Sequence, residues 1–518
     1  MEKTRILWVD DEIDLLKPHV LFITEKGYDV DTVNNGEDAL EMIDENRYDL
    51  VFLDENMPGI GGLETLQQIR ETDTNLPVVM VTKSEEEHIM EDAIGAQIAD
   101  YLIKPVNPNQ LLLSIKKNLD KTRLVSEKTS SSYQQEFRKI GMELNDVRDV
   151  DGWIDMYKRL VYWEMELDKL DDESMNEILS MQKNEANTVF CKFVEKNYIN
   201  WMQGDEDGPM FSPSVFKKNL FPLLKEGKNV TLLLIDNLRY DQWKVLQPIF
   251  QQYYKTNSEG MFFSILPTAT QYARNSMFAG LMPAEIKKRF PNQWYDDTEE
   301  EGKNLHEEDF LRDNLRRNGL GNIRMSYHKI TNHVNAKKLA DNYKSFEQNQ
   351  LNVVVYNFVD MLSHAKTDTR LIQELADDDK AYRSLTLSWF KNSPLLDLLR
   401  KLASTNTELL LTTDHGTINV DTPTKLVGLR EITTNLRYKQ GKNMSYEKKD
   451  VFEINKPELV HLPKVHISAN YVFAREKMFF AYPNNYNHFV KYYKNTYQHG
   501  GISLEEMVIP IVQFSPKR

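Results

Sequence analysis

Leu409-Leu410-Leu411-Thr412-Thr413-Asp414-His415-Gly416 is an apolar run that ends in an acid, an imidazole and a glycine. A short buried strand that delivers polar side chains at its carboxyl end is the signature of a parallel α/β sheet, where ligands bind at the strand ends. Two more stretches in the same part of the chain have this form. Val230-Thr231-Leu232-Leu233-Leu234-Ile235 runs into Asp236, and Val353-Val354-Val355-Tyr356-Asn357-Phe358 is followed by Asp360. The spacing predicts an α/β domain from about residue 226 to the C-terminus at 518.

The first 120 residues show the same rhythm at smaller scale. Ile6-Leu7-Trp8-Val9, Leu50-Val51-Phe52-Leu53, Val78-Val79-Met80-Val81 and Ala99-Asp100-Tyr101-Leu102 read as buried strands separated by helical patterns. A five-stranded doubly wound sheet is predicted. Between about 121 and 225 the strand signal vanishes. Trp153-Ile154-Asp155-Met156-Tyr157-Lys158-Arg159-Leu160 repeats apolar residues at helical spacing, so this segment reads as a helical bundle acting as a connector. Thr129-Ser130-Ser131-Ser132 punctuates it, Pro209 and Pro213 mark its exit, and Trp153, Trp163 and Trp201 are expected in its core. The fold class is therefore multidomain α/β with a central helical segment.

Composition narrows the function. The 518 residues are too many for one core. The formal charge of −15, from 64 basic and 79 acidic residues, does not suit a protein that displaces counterions from duplex DNA. No apolar run reaches the ~20 residues of a membrane helix, and Arg5-Ile6-Leu7-Trp8-Val9 followed by acids does not read as a signal peptide. A lone cysteine, Cys191, fits a reducing compartment, and a cytoplasmic location is expected.

In the first segment Asp10 and Asp11 follow one strand, Asp54 ends another, Thr82 ends the next, and Lys104 precedes Pro105. A doubly wound sheet brings all five to one edge. Three carboxylates can hold one Mg²⁺. Asp54 can then accept a phosphoryl group that Thr82 and Lys104 would hold. With Asp54-x-x-Met57-Pro58-x-x-Gly61, Tyr101 and Lys104-Pro105, the segment resembles two-component response-regulator receiver domains. That resemblance implies phosphorylation at Asp54, an aromatic switch at Tyr101 and a sensor histidine kinase as partner.

In the last segment Asp360 and His364 are four apart, which places both on one helical face. Carboxylate with imidazole is a natural zinc pair. Thr270, in Pro267-Thr268-Ala269-Thr270-Gln271, is predicted near a helix N-terminus that favours anions. A metal at its hydroxyl would make it a nucleophile. Arg274, one turn on, is a candidate phosphate ligand, and His499 in Gln498-His499-Gly500-Gly501 sits in a turn that glycines permit. Taken singly these are weak: an Asp after a strand is more often a helix cap, and Thr is a good N-cap. His306, His328, His333, His461, His466 and His488 lack an acid at fixed spacing and read as surface or packing residues, while His19 and His88 read as exposed helix residues.

Asp236, Thr270, Asp360, His364, Asp414, His415 and His499 in this order resemble the alkaline-phosphatase superfamily, most closely its PglZ branch. The resemblance implies two zinc ions: one with Asp236, Thr270, Asp414 and His415, the other with Asp360, His364 and His499. It implies Thr270 as the nucleophile that carries a phospho-threonine intermediate. The polar stretch between 280 and 350 leaves substrate contacts unassigned. Zinc is expected over manganese because the ligand sets are rich in histidine.

The whole order resembles the PorX-type regulators of bacteria with type IX secretion. A phosphodiesterase, acting on nucleotide or oligonucleotide diesters in preference to monoesters, is expected because the superfamily's diesterases share a threonine nucleophile and no third-metal site is identifiable. The PorX-type order implies a role in regulating type IX secretion, with a sigma factor or secretion component as output partner. Because receivers commonly act by changing dimer contacts, control by phosphorylation of Asp54 and dimerisation is expected. The competing expectation is a signalling adaptor in which the hydrolase domain is a retained scaffold.

Overall fold

The computed structural model describes residues 4–83, 98–170, 173–296, 304–369, 375–376, 378–428, 433–466 and 468–517. The chain divides into two compact units, Met1–Gln134 and Gln135–Arg518.

The first unit is built on five parallel strands, β1 (Arg5–Val9), β2 (Asp29–Val33), β3 (Leu50–Asp54), β4 (Val78–Thr82) and β5 (Asp100–Ile103), in the order β2-β1-β3-β4-β5. The helices Lys17–Glu25, Gly36–Glu45, Gly62–Thr72 and Pro108–Ile115 lie among them in sequence. Alternation explains the two cores. Leu7, Val9, Val51, Leu53, Val78 and Met80 pack on one face of the sheet, and Ile6, Trp8, Leu50, Phe52, Val79 and Val81 on the other. β2 has no counterpart among the expected strands: Asp-Val-Asp-Thr-Val is a polar, partly exposed edge.

His19 departs from its reading as an exposed residue. Its Nε2 lies 3.0 Å from the Val106 carbonyl and its ring meets Trp8 edge-on. His88 lies outside the described residues.

The segment read as a connector is helical, with helices Lys121–Leu144, Val150–Leu167 and Glu173–Met202. The serine-rich stretch does not punctuate it, because the first of these helices runs through it. The boundary at Gln134 falls inside that same helix. Beyond it, the helices share one core with the C-terminal α/β region: Trp153 packs on Phe190, and Phe190 on Phe263. Trp153 and Trp201 are buried as expected, whereas Trp163 is only half-buried and rests against exposed Tyr162.

The rest of the second unit centres on a six-stranded sheet. Its strands are β6 (Asn229–Ile235), β7 (Tyr254–Phe263), β8 (Met325–Ile330), β9 (Leu351–Tyr356), β10 (Thr407–Thr412) and the C-terminal strand Val508–Pro516. The order is β7, C-terminal strand, β10, β6, β9, β8. β10, β6, β9 and β8 are parallel, and the C-terminal strand runs antiparallel to β10 and β7. β6 is buried from Val230 to Ile235, which accounts for its unbroken apolar run. β9 ends at Tyr356, two residues short of the expected strand, and a helix begins at Phe358. Asp360 therefore sits in a first helical turn rather than at a strand end. Among the described residues no helix is long and apolar enough to cross a membrane.

Candidate metal centres

β10, β6 and β9 are adjacent, central and parallel, and each delivers its next residues to the same edge. Asp414-His415 follows β10, Asp236 follows β6, and the helix Phe358–Asp368 after β9 carries Asp360 and His364. His499 arrives from the short strand Thr496–Gln498, which pairs with Ile418–Val420 just beyond His415. Thr270 is the first residue of the helix Thr270–Ala279. Its own N–H and those next to it belong to the group that has no partner within a helix.

Two sets of ligand atoms gather here, each within 4.8 Å: Asp236, Asp414 and His415, and Asp360, His364 and His499. The His415 and His499 rings stack 4.2 Å apart, so the sets are neighbours. Thr270 Oγ1 lies 3.1 Å from His415 Nε2. Hydrogen bonding settles the imidazole tautomers. His415 Nδ1 is 3.0 Å from the Gly416 carbonyl and His499 Nδ1 is 3.1 Å from the Thr268 carbonyl. A carbonyl only accepts, so each Nδ1 carries the proton and each Nε2 keeps its lone pair facing the site. Burial, with His415 and His364 nearby, pushes His499 well below the usual histidine range and keeps it neutral.

Charge in the pocket is unbalanced. Asp236, Asp414 and His415 are buried, and among the described residues the guanidinium of Arg274 pairs with Asp236 and, at 3.0 Å, with Asp414. Burial raises both carboxyls, but the outcome differs between them. At Asp414 the Arg274 charge, with His415 and the Asn237 N–H beside it, outweighs burial and holds it at about 2. At Asp236 burial, joined by Asp414 and Asp360, outweighs Arg274 and pushes it well up. Asp236 Oδ1 and Asp360 Oδ1 are buried without a hydrogen-bond partner. Orphaned carboxylate oxygens beside imidazole Nε2 lone pairs are the donor set that a borderline cation such as zinc takes. The residues fit two ions.

Arg274 differs from its reading as a phosphate ligand. Its guanidinium is fully buried against Asp236 and Asp414, with Glu307 at 3.8 Å. Several supporting residues were not foreseen. Asn237 has φ +64°, uncommon for a residue other than glycine. It sends its backbone N–H to Asp414 Oδ1 (3.3 Å) and its amide to Ser363 (3.2 Å). Thr268 Oγ1 donates to Gly501 O (2.9 Å) and accepts from Gly500 N (3.0 Å), which fixes the turn after His499. Gly500 has φ +123°, as the glycine pair suggested. His306, expected to lack an acid partner, has Asp309 at 3.5 Å one turn on. Asn-Leu after a strand, or a threonine before a nucleophile, carries no signal of its own.

In the first unit Asp10, Asp11 and Asp54 offer oxygens within 4.8 Å of one another. Lys104 Nζ spans Asp10 (2.7 Å) and Asp54 (2.9 Å). Burial raises the Asp54 carboxyl despite that lysine. Thr82 is buried one residue past Val81, the register partner of Asp54, and Tyr101 is half-buried on the next strand. An all-oxygen set that includes one exposed acid fits a hard ion open to solvent, such as Mg²⁺.

Known proteins share these parts. Residues 215–514 match the family described as BREX system PglZ alkaline phosphatase-like domain, residues 123–202 match PorX response regulator linker domain, and residues 6–116 match response regulator receiver domain. Transcriptional regulatory protein ResD of Bacillus subtilis is 35% identical over 114 residues, 22% of this chain and 47% of that protein. The CpxR homolog of Haemophilus influenzae is 36% identical over 130 residues, 25% of this chain and 56% of its own length. The chain thus spans about half the length of these curated relatives. A CheY-like receiver domain structure from Methanospirillum hungatei is 28% identical, covering 24% of this chain and 98% of that one with a TM-score of 0.23. A receiver implies a phosphodonor such as a histidine kinase, and an alkaline phosphatase-like domain suggests a phosphoesterase. With more than half of its length matched, the chain belongs to the PglZ alkaline phosphatase-like family, and it is a response regulator with the PorX-type order of receiver, linker and PglZ domain.

Proposed function

We propose that the output of this response regulator is a two-zinc phosphodiesterase, acting on nucleotide or oligonucleotide phosphodiesters. It is controlled by phosphorylation of Asp54 in a Mg²⁺-bearing receiver, and by dimerisation. The observation that carries this reading is the adjacency of two three-ligand sets, joined by the His415–His499 stack at 4.2 Å, with Thr270 Oγ1 3.1 Å from His415 Nε2. Asp236, Asp414 and His415 would hold one ion, with Thr270, and Asp360, His364 and His499 the other. Zinc there supplies Lewis acidity, lowering the pKa of the Thr270 hydroxyl and offsetting charge on the phosphoryl group.

The chain's own groups do the rest. His415 orients the nucleophile, and the helix N-terminus at Thr270 favours the anion. Thr270 Oγ bonds to phosphorus as the ester oxygen leaves with its electron pair and takes up a proton. Water then cleaves the Thr270–phosphoryl ester, returning the hydroxyl and releasing the second product. A diester is favoured because Arg274 is committed to Asp236, Asp414 and Glu307, which leaves less positive charge for a monoester dianion. A role in type IX secretion, with a sigma factor or secretion component as partner, belongs to this proposal through the PorX-type order of domains.

The test is turnover of bis(4-nitrophenyl) phosphate and 4-nitrophenyl phosphate by the full chain, with zinc or after chelation. The expected result is zinc-dependent cleavage of the diester, abolished in Thr270→Val. No turnover of either, or a Thr270→Val variant equal to wild type, sinks the catalytic reading. Sedimentation with and without beryllofluoride, a phosphoryl mimic, tests dimerisation, and an unchanged mass counts against it.

A further inference from the structure

The helix Glu173–Met202 belongs to the linker, yet one of its faces touches the backbone that carries the candidate site. Lys183, Asn187, Cys191, Glu195 and Tyr198 recur at spacings of three or four, so they lie along one stripe. Asn187 accepts from Leu504 N (2.8 Å) and donates to Glu505 (3.0 Å). Cys191 Sγ meets Ile502 O (3.3 Å). Glu195 pairs with Arg475 (2.9 Å), which bridges in β fashion to Ile502. These contacts hold the loop directly after His499.

Further along, the Tyr198 hydroxyl accepts from Leu266 N (2.8 Å), four residues before Thr270. The helix's N-terminal half connects, through Asp379, to the segment after β6 and to the strand before His499. Lys183 lies 2.8 Å from Glu164 and 3.7 Å from Asp379, and Asp379 holds both Arg239 (2.7 Å) and the Tyr497 hydroxyl (2.8 Å). Arg239 is three residues past Asp236, and Tyr497 two before His499. On the other flank Gln182 donates to Phe137 O (2.9 Å), in the helix where the division between the two units falls. A cleft of about 440 Å³, lined by Asn176, Ser180, Lys183 and Lys477 among others, leaves the helix's N-terminal half unpacked on one side.

We propose that this linker helix is the positioning element of the metal centre, with Asn187 and Tyr198 as positioning residues: a shift of the helix displaces the His499 loop and the Thr270 loop together. Thr270 and the His499 ligand set are then aligned only in one helix position, and control of the linker becomes control of the chemistry. This role of the helix rests on the metal-dependent hydrolase proposed above.

Asn187→Ala and Tyr198→Phe are compared with Glu185→Ala, which lies on the exposed side of the same helix. Both positioning variants are expected to lose about ten- to hundredfold in kcat on bis(4-nitrophenyl) phosphate with KM and Tm close to wild type. They are also expected to alter the visible absorption of the cobalt-substituted full chain and to raise amide exchange in residues 499–506. Glu185→Ala is expected to match wild type. Wild-type kcat and cobalt absorption in both variants overturn the proposal, as does a loss that merely follows a lowered Tm with the cobalt absorption unchanged. Should wild type itself hydrolyse nothing, the hydrolase reading fails, and amide exchange decides the positioning role: no change in residues 499–506 in either variant overturns it.

Discussion

At the scale of single residues, the candidate site is held by groups that only three dimensions reveal. Gly416 is an example. A Cβ there would overlap the carbonyl oxygen of Glu505, so the backbone after His415 is pressed against the short helix Leu504–Met507 that follows His499. Gly416→Ala is expected to cost about 1–3 kcal/mol by overpacking and to weaken zinc binding, read by thermal melts and metal titration. Asp241 carries a pH prediction. Burial pushes its carboxyl up, but the Arg239 and Arg383 guanidinium groups outweigh burial and hold it at about 2, below an ordinary 3.8. A carboxyl depressed in the fold adds stability above its unfolded value and loses it as pH falls through the folded one. Stability is therefore expected to drop between about pH 4 and pH 2, by an amount of order 2 kcal/mol from this group. Asp241→Asn should flatten that drop in acid unfolding curves. At neutral pH it should destabilise by about 1–3 kcal/mol, since two buried guanidinium groups lose one carboxylate while Arg239 keeps Asp379 and Arg383 keeps Glu164 and Asp168. The metal-ligand candidates were legible because each stands beside an apolar run or in a fixed spacing. Asn237, Thr268 and Arg239 were not, because a left-handed φ, a backbone hydrogen bond and a buried ion pair leave no periodic trace.

At the scale of elements, legibility followed burial. β6 and β10 are covered on both faces and read as unbroken apolar runs. β2 is a partly exposed edge, and its alternating acids hid it. The linker shows the opposite failure. Ser130, Ser131 and Ser132 are punctuation by local propensity, but a helix runs through them as part of Lys121–Leu144. Its later helices are stabilised by aromatic packing. Trp153 is fully buried between Phe190 and Phe193, with ring centroids 5.2 and 5.8 Å away. Trp153→Ala is expected to cost about 3–5 kcal/mol in denaturant unfolding of the second unit, the cost of an emptied aromatic site. A change below about 1 kcal/mol would mean that the helices Val150–Leu167 and Glu173–Met202 contribute little to that unit's core.

At the scale of the whole molecule, the two candidate cation chemistries are segregated. The all-oxygen set of Asp10, Asp11 and Asp54 lies within Met1–Gln134, and both histidine-bearing sets lie within Gln135–Arg518. A ligand that binds only the folded form stabilises the unit that holds its site, by about 2.7 kcal/mol at a hundred times its dissociation constant. Differential scanning calorimetry of the full chain is therefore expected to resolve two transitions with different sensitivities. Mg²⁺ with beryllofluoride should raise the receiver transition, and Asp54→Ala should abolish the rise. Chelation should lower the transition of the second unit, and zinc should restore it. The same chelation should leave the second unit of an Asp360→Ala, His499→Ala double variant less affected, because one of its two ligand sets is gone. If Mg²⁺ with beryllofluoride moved the second transition as far as the first, or chelation moved only the receiver, the assignment of one hard-ion site and two zinc-type sites would fail at its simplest point, the unit in which each set of ligands resides.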